Sequence, residues 1–154
     1  MKTFLKITLG FLAAIIIIIG SLVGYKAYQG TKNDKESKAA AAAIISEVGK
    51  DWSKDSLIKL SSTEMKVQLN DPKTDAYFAE VKTNFGNLVK LGDPKGDSIE
   101  NFDPKTGIHN YAHYVSESKF ESGDARIELT LILESSGWKA YQFKIDKMAT
   151  AASN

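Results

Sequence analysis

The sequence predicts an α+β domain carried behind one membrane-spanning helix. Three observations predict it. Residues 7–25, ITLGFLAAIIIIIGSLVGY, form an uncharged apolar run. Helix-type periodicity dominates residues 38–91, interrupted by a short alternating stretch at 64–69. Strand-type alternation with turn signals fills the remainder to residue 147. The implied architecture is helices packed on an antiparallel sheet.

The apolar run contains 19 residues. As a helix it spans about 28 Å, close to the hydrocarbon thickness of a bilayer. A cleaved signal peptide would have a shorter core and a pair of small residues at the cleavage site. No clean pair follows this run, and Tyr25 and Lys26 have the character of interface anchors. The expectation is an uncleaved anchor over residues 1–25, with a tether over 26–37, a folded domain over 38–148 and a tail over 149–154. The short basic N-terminal tail, with Lys2 and Lys6, favours an N-inside orientation. That places the domain outside the cytoplasm, on an inner membrane facing the periplasm. The Lys/Arg count over both flanks does not itself favour that orientation. Gly20 and Gly24 stand four apart, a spacing that lets two membrane helices approach closely.

Composition narrows the chemistry. The chain has 20 basic and 19 acidic residues, and Arg126 is its only arginine. Nucleic-acid binding needs a clustered basic surface, so no nucleic-acid partner is expected. With no cysteine there are no disulfides, thiolate metal sites or cysteine nucleophiles. No cofactor or metal is expected.

Residues 30–38 are polar and read as a tether or the start of a helix. In KAAAAAIISEVGK, residues 38–50, alanine favours helix, and Ala41, Ile44, Ile45, Val48 and Trp52 fall on one face. Ser53 can cap a short second helix with Leu57, Ile58 and Leu60 inward. Residues 64–69 alternate Met65, Val67 and Leu69 with polar residues and read as a short strand. Ser62-Thr63-Glu64 could equally open a helical turn. Residues 75–91 predict a longer helix, with Phe78, Val81, Phe85 and Leu88 on one face and Gly92 as its stop. Each proline sits in Asp-Pro-Lys, at Asp71, Asp93 and Asp103, a tripeptide suited to type I turns. A short strand over 97–102 and longer strands over 108–121, 125–135 and 138–147 follow.

The faces of the long strands come from charge and alternation. Ala125, Ile127, Leu129, Leu131 and Leu133 share one face, which must be the core. A three-residue loop, Ser135-Ser136-Gly137, sets Leu131 opposite Tyr141, Leu129 opposite Phe143, Ile127 opposite Ile145 and Glu128 opposite Lys144. A four-residue loop at 122–125 sets Glu121 opposite Arg126 and Lys119 opposite Glu128. Ala112, Tyr114, Ser116, Ser118 and Phe120 then point inward. His109 and His113, the only histidines, point outward with Tyr111. They lie roughly 13 Å apart along the strand, too far to share one metal.

Two candidate sites result. Tyr114, Ser116 and Ser118 are polar groups on the inner face and define a candidate pocket. Tyr111, Val115, Ile132, Trp138 and Ala140 define a candidate interface on the outer face, where polar residues are the rule.

The ending FESGDARIELTLILESSGWKAYQFKID and the segment KDWSKDSLIKLSS resemble the nuclear transport factor 2-like superfamily, over about residues 38–147. The resemblance implies a cone of helices wrapped by a curved sheet. Members include enzymes, binding modules and membrane-anchored subunits of bacterial envelope machines, so the fold does not choose the function. The enzymatic members place an Asp or His inside the cone. Here Tyr114, Ser116 and Ser118 stand on the inward strand, which speaks against an enzyme. No G-x-S-x-G, P-loop, H-E-x-x-H or G-x-G-x-x-G is present. The expected function is a membrane-anchored, non-catalytic association domain, as a homodimer or with an envelope protein. The alternative is a small-molecule binding domain using the cone interior.

Overall fold

A computed structural model describes the backbone of residues 2–148, and the side chains of Ser21 and of residues 24–148. Four helices, α1 (Lys2–Gly49), α2 (Lys54–Leu60), α3 (Thr63–Leu69) and α4 (Lys73–Phe85), precede five strands: β1 (Leu88–Lys90), β2 (Lys95–Asp103), β3 (Gly107–Phe120), β4 (Gly123–Glu134) and β5 (Gly137–Lys147). The protein is α+β, with its helices packed on an antiparallel sheet. The chain divides into two compact units, residues 1–33 and 34–154.

The first unit is helical and belongs to α1. Tyr25 and Tyr28 are exposed. Gln29 Nε2 donates to Tyr25 Oη at 2.9 Å, one turn away. Among the described residues no helix is long and apolar enough to cross a membrane. The expected anchor falls almost wholly on side chains outside the described residues, Gly20 included. A Cβ added at Gly24 would meet nothing within 4 Å. The expected tail, 149–154, also lies outside the described residues.

The second unit begins at Asp34, and the stretch read as tether or helix start is helical. Ala41, Ile44, Ile45 and Val48 of α1 are buried as a single stripe. After α1 the chain turns at Trp52, a non-glycine residue with φ of 54°. That left-handed conformation is costly for a bulky residue and needs compensating contacts. Trp52 has them. Its Nε1 donates to Gly86 O, and its ring lies 5.5 Å from Phe120 and 6.4 Å from Phe143. Ser53 caps α2 as expected, accepting from Ser56 N at 3.4 Å.

The strand expected over 64–69 is instead α3. Ser62 Oγ caps it by accepting from Met65 N at 3.2 Å. Met65 and Leu69, four apart, are buried, while Val67 is 71% exposed. A strand would have kept all three on one face. The helix expected over 75–91 ends at Phe85. Gly86, at φ of 67°, closes it, and Asn87 N turns to Glu121 Oε2 at 2.8 Å. Leu88 fits the helical spacing but belongs to β1, where it packs on Gly49.

The sheet runs β1-β3-β4-β5, with β2 pairing β3 on the same edge as β1. β1 meets the end of β3 at Phe120, and β2 pairs with residues 107–115. Between them the chain passes so close to β3 that a Cβ on Gly92 would stand 1.9 Å from Glu117 O. The far edge, β5, is partly covered. Ser61 bridges Ala140, and Ser62 N donates to Ala140 O at 2.8 Å.

The inward set on β3 and β4 is as expected: Ala112, Tyr114, Ser116, Ser118, Phe120, Ala125, Ile127, Leu129 and Leu131 are all buried. Two loops differ. Phe120 pairs with Gly123, so only Glu121 and Ser122 form the β3–β4 turn. Gly123 takes φ of 127° there. Glu117 therefore faces Arg126, and Lys119 faces Asp124. In the last hairpin Ile127, Glu128 and Leu129 face Ile145, Lys144 and Phe143 as expected. A bulge beyond Thr130 then shifts the register, and Leu131 faces Ala140 rather than Tyr141.

Candidate functional site

The bulge decides which residues build the outer face. One extra residue on β5 reverses the side of everything between it and the turn. Ala140 is fully buried in the core, and Trp138 packs against that core. Both expected interface residues are therefore corrected to the inner side. Tyr141 takes their place outside, its ring 5.6 Å from Tyr111 in an edge-on contact.

The outer row that results crosses four strands. Ile99 pairs with Tyr111, and Tyr111 pairs with Ile132. Tyr141 closes the row on β5. Ile132 is only 7% exposed although it lies outside the main core. Ile99 is exposed, and Tyr111 and Tyr141 are half-buried. Burial, then the nearby Tyr141, raises the Tyr111 phenol above its ordinary pKa. Val115, half-buried between Lys95 and Glu128, ends the patch. Tyr111, Val115 and Ile132 thus stand where expected. Tyr141 was missed because its side depends on the bulge.

Charges flank the patch. Glu128 and Lys144 are opposite, but the contact ion pairs run along the strands: Arg126 to Glu128 at 3.1 Å and Lys144 to Asp146 at 2.7 Å. The hydrogen bond that Lys144 donates to Asp146 raises the Lys144 pKa. His113 Nδ1 lies 3.2 Å from Thr130 Oγ1, and His109 Nε2 lies 2.8 Å from Thr106 Oγ1. The two histidines serve separate hydroxyls. Among the described residues no group of three His, Cys, Asp or Glu side chains could hold a metal.

The candidate pocket residues are buried and hydrogen-bonded. Tyr114 Oη donates to Asp34 O at 3.1 Å and lies 2.9 Å from Ser37 Oγ. Ser116 Oγ donates to Gly92 O, and Gly92 N donates to Ser118 Oγ, both at 3.0 Å. The two hydroxyls are 2.8 Å apart. With the Ser116 proton on Gly92 O, Ser118 donates to Ser116, and a closed ring of hydrogen bonds results. Nothing in the sequence marked Gly92 as the partner. Ser118 also borders an open pocket of about 420 Å³ with Lys90, Asp93, Glu117, Lys119 and Asp124. Tyr114 and Ser116 do not line it. The indole N–H of Trp138 is buried without a partner.

No protein-family model matches this chain, and neither a curated protein nor a solved structure matches it.

Proposed function

We propose that this protein is a single-pass, membrane-anchored domain that works outside the cytoplasm by protein association, as a homodimer or an envelope-complex subunit, without catalysis. The order of helices and strands supports a cone of the nuclear transport factor 2-like kind. The outer row Ile99, Tyr111, Ile132 and Tyr141 carries the proposal. The solvent face of an antiparallel sheet should be polar at those positions. A contiguous apolar row there is the mark of a covered surface. Its two aromatic rings, Tyr111 and Tyr141, are of the residue type that dominates interface energies. The inner face offers less to a ligand, because its hydroxyls are bonded to the protein's own backbone.

Membrane fractionation and sedimentation test the proposal. The full chain is expected in the membrane fraction and resistant to alkaline carbonate. In detergent it is expected to sediment as an assembly that Tyr111→Glu disperses. Recovery from the cytosol would end the anchor reading. An assembly indifferent to Tyr111→Glu would move the interface to another surface.

A further inference from the structure

β5 is the outermost strand on its side of the sheet. Its outer edge meets Ser61 and Ser62 at Ala140. Among the described residues no strand pairs with that edge beyond Ala140. An unpaired edge presents a row of backbone donors and acceptors, a ready template for another strand.

Hydrogen bonding fixes which groups the row contains. Met148 N donates to Asp124 O on β4. Alternate residues of a strand bond to the same side, so Lys144, Asp146 and Met148 bond to β4. Phe143, Ile145 and Lys147 therefore turn their N–H and C=O groups outward. The phenol of Tyr77, on α4, stands beside the Ile145 amide and the Asp146 carboxylate. Tyr77 is 41% exposed, and a change of rotamer moves its ring off the edge.

Charge then selects what can pair there. Lys144 and Asp146 lie side by side on the outer face, with their charged ends 2.7 Å apart. A partner strand must set an acid opposite Lys144 and a base opposite Asp146. The same segment, run antiparallel about a two-fold axis through Ile145, does so. Lys144 then meets the Asp146 of the second copy, and Asp146 meets its Lys144. An axis through Lys144 or Asp146 would oppose like charges. An axis through Phe143 would carry the pairing onto Ala140, whose carbonyl Ser62 already occupies. An axis through Lys147 would leave both charges unmatched.

We infer that β5 pairs with the β5 of a second copy, antiparallel and centred on Ile145, so that two sheets become one. The inference goes beyond the association reading above, because it uses the sheet edge and leaves the outer row uncovered. Phe143, Ile145 and Lys147 supply about six backbone hydrogen bonds between the copies. Both chains contribute the same segment, the self-complementary contact of a closed two-fold dimer. Lys144 and the second copy's Asp146 occupy a non-hydrogen-bonded position, where Cα atoms stand about 4.5 Å apart.

That spacing is within reach of a disulfide, and the chain has no cysteine of its own. Full-length Lys144→Cys and Asp146→Cys chains, carrying different affinity tags, are mixed in detergent and mildly oxidised. Both positions are solvent-exposed, so the fold tolerates the substitutions, and one Lys144–Asp146 pair survives in the mixed dimer. The mixed disulfide is expected several-fold beyond a statistical mixture, because position 144 faces position 146 and neither faces itself. Adding Tyr111→Glu to both chains is expected to leave its yield unchanged, which separates the edge from the outer row. A statistical mixture of disulfides, or none at all, would overturn the pairing. Dominance of either self-disulfide would move the axis away from Ile145 and overturn it as well. Loss of the mixed disulfide with Tyr111→Glu would assign the contact to the outer row and overturn the edge pairing alone.

Discussion

The inner and outer faces of β4 are built from neighbouring residues and follow different rules. Inside, Ile127, Leu129 and Leu131 are wholly covered by helices and by the Trp52 aromatic cluster. Outside, Ile132 is almost as covered, between Tyr111 on β3 and Lys139 on β5. Arg126, Glu128 and Thr130 around it stay polar. The inner face obtains its stability from helices brought from far away in sequence. The outer apolar row is the surface proposed above for association.

Substitutions break that comparison in order of size. Trp52→Ala is expected to cost roughly 3–5 kcal/mol, because it empties the centre of the aromatic cluster. Denaturant unfolding measures it, with Trp138 as the remaining fluorophore. Leu129→Ala should cost roughly 2–5 kcal/mol through an inner-face cavity. A neutral Leu129→Ala beside a strongly destabilising Thr130→Ala would invert the two faces. Tyr114→Phe should cost about 1 kcal/mol, since the Asp34 carbonyl and Ser37 lose a hydroxyl partner. Thermal unfolding of the pair reads that difference.

Two smaller effects sharpen the outer face and its edge. Glu128→Gln should change stability by less than about 1 kcal/mol, because its ion pair with Arg126 is solvent-screened. Added salt should shrink the difference further. At the β2–β3 turn, Asp103 has a folded pKa below its unfolded one, owing to the N–H groups of Lys105 and Thr106. Its contribution is therefore present above the unfolded pKa and lost as pH falls through the folded pKa. Protection of the Lys105 and Thr106 amides, relative to their intrinsic exchange at each pH, should fall across that acid window and hold above it.

The sequence made the long strands legible because period two over many residues leaves a single parity that keeps charge out of the core. Parity on β3 and β4 needed only alternation, and it placed Tyr111, Val115 and Ile132 outside. Exact register needed loop geometry, and there one inserted residue mattered. The bulge beyond Thr130 moved Trp138 and Ala140 inward and Tyr141 outward. Residues 64–69 were ambiguous for a different reason. Over six residues Met65 and Leu69 suit both periods, and only the Ser62 cap separates them. The end of α4 was written in Gly86, yet Leu88 continued the helical spacing and hid it. The contacts of Tyr114 with Asp34 and Ser37 could not be read at all, since they join residues about eighty apart.

That last separation has a consequence for synthesis. Asp34, Ser37 and the Ala41–Val48 stripe leave the ribosome long before Tyr114 exists to receive them. At 5–20 residues per second, the gap to the end of β5 is roughly 5–20 seconds. The β3–β4 and β4–β5 hairpins, by contrast, close through two-residue turns as soon as the second strand of each is made. The helices are born first and covered last, so a chain stalled before Gly107 exposes an apolar stripe with no sheet to receive it, and nascent-chain proteolysis should find that stripe open.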